Sequence, residues 1–216
     1  LPPPQQMMVA NRDEARISAE TWPDPVPTIT ADMALKYGMH HITAIGSDIQ
    51  RTDEFFSGVL GMQRVKQTDN FDDPNSAHWY WGVEGGKPGT LITYFERDPQ
   101  KTRPAIIGDG QTHHFALAVK DEHEQVKWRT RLTEAGYRVS PIMDRVYFKS
   151  IYSNDPDGHI VELATLGPSF LHDEAEAELG QRLQLPPWLE KFRDQIEAGL
   201  TPLTIPEWKP ATPEGV

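Results

Sequence analysis

The sequence predicts an α+β fold: two tandem βαβββ modules forming a cupped, mixed β-sheet, with an arm at each end. Three observations predict it. A phrase opening on paired histidines occurs twice, as Gly38-Met39-His40-His41-Ile42-Thr43-Ala44-Ile45 and, 73 positions later, as Gln111-Thr112-His113-His114-Phe115-Ala116-Leu117-Ala118-Val119. After each phrase the pattern runs strand, helix, strand, strand, strand, which reads as an internal duplication. An echo, Asp157-Gly158-His159-Ile160-Val161-Glu162-Leu163-Ala164-Thr165, alternates as a strand does and closes the second copy.

The elements follow in order. His41 to Ile45 is a strand ending at Gly46-Ser47-Asp48, where Ser47 or Asp48 can cap a helix. Over Arg51 to Leu60, the residues Phe55, Phe56, Val59 and Leu60 form one helical stripe, and Gly61 closes the helix. Strands are expected at Gln63 to Thr68, Ala77 to Val83 and Thr90 to Phe95. Asp73-Pro74-Asn75 and Gly85-Gly86-Lys87-Pro88-Gly89 are the turns between them. A link rich in Pro and Gly over 98–110 leads into the second copy. There His114 to Val119 is a strand, and Asp121 with Glu124 forms an acidic capping box. Val126, Trp128, Leu132 and Ala135 supply the next helix's apolar side, and Gly136 ends it. Strands at Tyr137 to Ser140, Phe148 to Ser153 and Ile160 to Ala164 complete the unit, the last two joined by the turn Asn154-Asp155-Pro156-Asp157-Gly158.

The domain boundaries read from these patterns are an N-terminal Pro-rich arm over 1–36, a central domain over 37–167 (modules 37–98 and 111–167) and a C-terminal tail over 168–216. Asn11 to Glu20 has a helical composition, and Trp22-Pro23-Asp24-Pro25-Val26-Pro27 forces extended backbone, so the arm lies on the surface or lids the site. In the tail, an acidic helical stretch over Asp173 to Leu179 precedes an amphipathic helix over Trp188 to Leu200.

A formal net charge of −11 and the lack of a basic stripe argue against a nucleic-acid partner. With no cysteine, disulfides and thiolate metal sites are excluded. No apolar run reaches membrane-spanning length and no leader pattern opens the chain, so the cytoplasm is the expected compartment.

The chemistry concentrates in the repeated phrases. If the two His-His strands lie side by side, one imidazole from each can face a common pocket and Glu162 can join them. Two imidazoles and a carboxylate with open positions left over suit non-haem Fe(II) oxygen chemistry. His78, among Trp79, Tyr80 and Trp81, either lines the cup or packs. His159 and His172 read as surface or tail residues.

Two βαβββ units, each opening on His-His, resemble the vicinal oxygen chelate superfamily, which includes glyoxalases, fosfomycin-resistance proteins and extradiol dioxygenases. The resemblance covers 37–167 and is closest to the hydroquinone-type ring-cleaving dioxygenases. It rests on His40-His41-Ile42-Thr43, Phe55-Phe56 to Val59-Leu60-Gly61, Pro88-Gly89-Thr90, His113-His114, Asp144-Arg145-Val146-Tyr147-Phe148-Lys149-Ser150-Ile151-Tyr152 and Phe170-Leu171-His172-Asp173-Glu174. It implies metal ligands at His41, His114 and Glu162. It also implies Arg145 and Tyr152 near the substrate, and His40 and His113 at positions that can lie near the pocket. The cofactor implied is Fe(II), with Mn(II) as the alternative. The partners implied are an aromatic diol and O₂, with no nucleic acid and no membrane, and a homodimer or higher homo-oligomer is expected. Dioxygenases of this type usually carry four units with ligands from the first and last, whereas this chain has two.

Aligning the last strands of the two units puts Thr93 at the place where glyoxalase-type members carry a fourth ligand. Threonine is a poor ligand, so three positions stay open for a diol and O₂ together. Two rivals stand beside this reading. One is a glyoxalase-like, metal-dependent isomerase or lyase with Glu96 or water completing the shell. The other is a non-catalytic small-molecule binding protein on the same fold.

Overall fold

Each copy of the repeated pattern folds into a four-stranded sheet of its own. A computed structural model describes residues 35 and 37–200. The helix expected over 11–20 and the extended run 22–27 lie outside the described residues. The first copy supplies β1 (His41–Gly46), α1 (Ile49–Asp53) continued by a π-helical turn (Glu54–Val59), β2 (Gln63–Asn70), β3 (Asp73–Gly82) and β4 (Leu91–Glu96). The second supplies β5 (His114–Val119), α2 (Glu122–Glu134), β6 (Met143–Asp144), β7 (Lys149–Asn154) and β8 (Ile160–Thr165). The strand orders, β1-β4-β3-β2 and β5-β8-β7-β6, repeat one topology. The expected α+β class and the duplication both hold: these are two four-stranded mixed sheets. In the second, β5 runs parallel to β8 while β7 pairs antiparallel with both β6 and β8.

The helix caps are the ones the sequence carries. Asp48 accepts from the N–H groups of Gln50 and Arg51 at 2.9 and 3.1 Å, neutralising orphan donors of the first turn. In the second copy, Asp121 accepts from the Glu124 N–H at 2.9 Å, which holds its carboxyl below the usual range. Glu124 in turn accepts from the Lys120 N–H at 2.7 Å. Gly61 and Gly136, at φ +69° and +87°, take the left-handed conformation that ends each helix.

The chain divides into two compact units. Among the described residues, the first holds 35, 37–44 and 64–95, and the second holds 45–63 and 96–200. In the first, Trp81 and Tyr94 are buried edge to face at 6.0 Å. In the second, α1 and its π-helical extension pack beside α2 and β5. Phe55 meets Tyr137 at 5.0 Å, Phe56 stacks on Phe115 at 6.3 Å, and the Arg131 guanidinium donates to the carbonyls of Val59 and Gly58. Phe55 and Phe56 are fully buried, each contributing about 1.5–3 kcal/mol of transfer free energy.

Several local expectations are corrected. Asp73-Pro74-Asn75 is not a turn but the start of β3. The reversal falls at Phe71-Asp72, where Asn70 accepts from the Asp72 N–H at 3.1 Å and so makes the bend itself. Tyr137 to Ser140 is not a strand. Ser140 makes its backbone bond to the Tyr152 carbonyl, then Pro141 interrupts, and pairing resumes at β6. On α2, Val126 is exposed and Gln125 is buried in its stead. The acidic stretch 173–179 forms a 3₁₀ turn at Glu176–Glu178, and the helix expected over 188–200 shrinks to a 3₁₀ turn (Glu190–Phe192) and α3 (Arg193–Gly199).

Candidate active site

The second unit gathers most of the candidate residues at one end of β5, β7 and β8. His114 opens β5 opposite Ile160, and Glu162 lies two residues further along β8, opposite Tyr152 of β7. The period-2 alternation therefore directs His114, Glu162 and Tyr152 to one face. His114 Nε2 stands 2.8 Å from Glu162 Oε2, and the Tyr152 ring meets the His114 ring edge-on at 5.9 Å. Glu162 is 2 % exposed, and its other oxygen, Oε1, accepts from the hydroxyl of fully buried Ser150.

A cleft of about 540 Å³ opens here, lined by His113, His114, Arg145, Tyr152, Ser153, Asn154 and Ile160. The Arg145 guanidinium donates to Tyr152 Oη at 3.3 Å and lies 5.6 Å from the centre of that ring. Its backbone is held in a tight loop: the Arg145 N–H donates to Phe148 O at 2.9 Å and the Val146 N–H to Asp144 Oδ1 at 2.8 Å. Val146 sits at φ +69°, a conformation costly for a β-branched residue.

His113 does not turn away from the site as an ideal strand would require. It precedes β5, so alternation does not apply to it, and its Nδ1 lies 2.8 Å from His114 Nδ1. His40 and His41 in the first unit repeat this contact at 3.0 Å, with the same edge-on ring angle of 86° in both pairs.

The registers match the two sheets residue for residue. Tyr80 lies opposite Thr93 as Tyr152 lies opposite Glu162, and His78 opposite Phe95 as Ser150 lies opposite Ala164. Thr93 is thus the counterpart of Glu162. In place of a carboxylate, the first unit carries a chain of hydroxyls and an imidazole: Tyr80 Oη to His78 Nδ1 at 3.0 Å, His78 Nε2 to Thr93 Oγ1 at 3.0 Å, and Thr93 Oγ1 to Thr43 Oγ1 at 2.8 Å. Burial pushes the Tyr80 hydroxyl above its ordinary range.

Other expected residues serve elsewhere. Glu96, the fourth-ligand candidate of the isomerase reading, accepts from the Ile49 N–H at 3.0 Å, at the N-terminus of α1. His159 is 3.0 Å from Asp155, which also accepts the backbone N–H groups of Asp157 and His159 and so organises the β7–β8 turn. Sequence reasoning missed two residues behind the site. Gln125 Nε2 donates to the carbonyls of Lys149 and Leu163, each at 2.8 Å, which flank Ser150 and Glu162. Ser150 lies inside the motif Asp144 to Tyr152, and a small polar side chain between Lys149 and Ile151 of a strand is the signal the sequence carries for it.

Among the described residues, no group of three or more His, Asp or Glu side chains forms a cation-binding cluster. His114 and Glu162 nevertheless fit a divalent metal of nitrogen- and oxygen-loving character. A carboxylate this buried, met by one imidazole and one hydroxyl, gains from a cation beside it.

With this geometry, the wider relationships can be placed. The pattern of the Glyoxalase/Bleomycin resistance protein/Dioxygenase superfamily matches residues 38–163, and the chain belongs to that superfamily. MhqO of Bacillus subtilis (strain 168), provisionally assigned as a ring-cleaving dioxygenase, is 26% identical over an alignment of 304 positions that covers 79% of this chain and 97% of MhqO. That alignment exceeds the 216 residues of this chain, so MhqO carries positions with no counterpart here. The chlorohydroquinone/hydroquinone 1,2-dioxygenase of Sphingobium indicum is 30% identical over 179 residues, 82% of this chain and 52% of that enzyme. A glyoxylase/bleomycin resistance protein/dioxygenase domain from Frankia sp. EAN1pec shares the fold at TM-score 0.53 and 16% identity, covering 61% of this chain and 98% of its own.

Proposed function

We propose that the chain is a ring-cleaving dioxygenase that opens a dihydroxylated aromatic ring next to a hydroxyl, using Fe(II), with Mn(II) able to serve in its place. The contact between His114 and the buried carboxylate of Glu162, beside a cleft lined by His114, Arg145 and Tyr152, carries this reading. His114 and Glu162 are two of the proposed ligands, and His41, the counterpart of His114 in the repeat, is the third. A para-diol is the favoured substrate class, since the Sphingobium indicum relative is named for hydroquinones.

When bound, the metal supplies acidity toward a phenolic hydroxyl and a redox path between ring and O₂. The remaining work falls to the side chains. Arg145 places a permanent positive charge over the cleft and favours the phenolate form of the diol. Tyr152, polarised by Arg145, holds a proton at Oη for the oxygen that develops charge as the ring opens. His113, exposed beside His114, takes the proton the diol gives up. The diol and one O₂ supply every atom and electron of the ring-opened product, so no outside reductant enters. A homodimer or larger assembly belongs to the same reading, and sedimentation in solution tests it.

Anaerobic loading with Fe(II), followed by oxygen uptake against catechols and hydroquinones, tests the function. Uptake with a ring-opened absorbance, reduced at least a thousandfold in Glu162→Ala, is the expected result. Stoichiometric metal binding without uptake on any diol overturns it.

A further inference from the structure

We propose that Ser150 is a positioning residue that commits Glu162 to bind a divalent cation through a single oxygen. The inference rests on the reading of His114 and Glu162 as ligands and goes beyond it, to what sets the number of open positions at the site.

A carboxylate free to rotate can offer both oxygens to a metal or one. Glu162 does not have that freedom. Both it and Ser150 are buried, at 2 % and 0 % exposure, and the Ser150 hydroxyl donates to Oε1 while Oε2 faces His114 Nε2 at 2.8 Å. The register fixes where that hydroxyl lies. Ser150 is opposite Ala164 and Tyr152 opposite Glu162, so Ser150 stands one same-face step along β7 and reaches Glu162 diagonally. Behind the strands, Gln125 ties the carbonyls of Lys149 and Leu163 to α2, each at 2.8 Å. These are the neighbours of Ser150 and Glu162, so the donor and its carboxylate are held to one helix side chain. With both carbonyls demanding the amide NH₂ group, Gln125 Oε1 is left buried without a hydrogen-bond partner. That orphaned acceptor is a cost the fold accepts to keep the clamp.

The first unit supplies the contrast. At the position matching Glu162 it has Thr93, and at the position matching Ser150 it has His78, whose Nε2 contacts Thr93 Oγ1 at 3.0 Å. The β3 and β7 positions thus differ together with the groups they hold: an imidazole for a hydroxyl, and a hydroxyl for a carboxylate. A carboxylate with one oxygen engaged by a neutral donor keeps its charge for the metal and leaves one more position open to exogenous ligands than a chelating carboxylate would.

The test uses the full chain with Ser150→Ala, Ser150→Thr and Glu162→Ala. Three quantities are read: the unfolding midpoint without metal, Mn(II) affinity by chelator competition, and the visible spectrum of the Co(II)-loaded protein, which reports coordination number. Ser150→Ala is expected to keep its metal-free midpoint within a few degrees, to bind Mn(II) roughly 10- to 100-fold more weakly, and to show weaker Co(II) bands as Glu162 chelates and coordination rises. Ser150→Thr, which restores a hydroxyl, is expected to recover affinity and spectrum. Unchanged affinity and spectrum in Ser150→Ala, with binding abolished in Glu162→Ala, overturn the proposal and leave the ligand reading standing. A lowered midpoint at unchanged affinity makes Ser150 merely structural and also overturns it. Unchanged binding in Glu162→Ala removes the ligand reading itself, and this inference falls with it.

Discussion

Val146 holds a backbone conformation that a β-branched side chain resists, and it does so beside Arg145. The loop bonds from Arg145 to Phe148 and from Val146 to Asp144 maintain it. Strain of about 1–3 kcal/mol at such a position persists where the surroundings over-determine it, and here it aims a guanidinium into the cleft. Val146→Gly removes the steric conflict at an entropic cost of about 0.5–1 kcal/mol. The unfolding midpoint is therefore expected to rise by about 2–4 °C, while KM for the diol increases several-fold as Arg145 loosens. A calorimetric scan beside steady-state kinetics checks both; a lowered midpoint refutes the strain account. Neither effect was visible in the sequence, because the motif Arg145-Val146-Tyr147 names the residues and not the φ of the middle one.

The β7–β8 turn shows the same limit at the scale of an element. Its Asn-Asp-Pro-Asp-Gly composition announced a reversal, and Gly158 takes φ +95° as required. What composition did not announce is the hub that Asp155 makes with His159. Burial of the His159 ring disfavours its charge, but the hydrogen bond and charge of Asp155 outweigh it and raise the pKa above the ordinary histidine value. A raised folded-state pKa contributes stability fully below the unfolded pKa of about 6.5, lost as pH rises through the folded value. The chain is thus expected to unfold at a higher temperature at pH 6 than at pH 8 in part because of this pair. His159→Gln should flatten that part of the profile; a wild-type profile unchanged by the substitution discards the linkage. Helix α1 is a second case. Phe55, Phe56, Val59 and Leu60 were legible as the apolar stripe that continues it; Phe55, Phe56 and Leu60 are buried and Val59 is half-buried. The π-helical turn over Glu54–Val59 was not legible, since it depends on how two adjacent rings must splay, toward Tyr137 and toward Phe115.

For the molecule as a whole, the charge of −11 and the buried Glu162 predict that a divalent cation acts as part of the fold. Binding to the native state alone adds RT ln(1 + [L]/Kd), about 2.7 kcal/mol at a hundredfold excess over Kd. For a chain of this size that is a midpoint increase of roughly 5–10 °C. Fe(II) or Mn(II) should raise the midpoint by this amount and a chelator should reverse it; Glu162→Ala should lose the effect. A midpoint indifferent to metal in the wild type refutes it. No helix among the described residues is long and apolar enough to cross a membrane, in keeping with a chain that has no spanning run.

By itself the sequence determined the element order, the duplication, the helix caps and the superfamily. These depend on residues near one another along the chain: alternation, a capping Asp, a terminating Gly and a His-His phrase occurring twice. Tertiary structure decided which of those residues meet. It brought Ser150 to Glu162 across a strand pair, buried Gln125 where Val126 was expected, put the turn at Phe71-Asp72 instead of Asp73-Pro74-Asn75, and set His113, just ahead of the strand, against His114. Register, burial and rotamer arise from contacts distant in sequence, and a local pattern constrains them only to a face.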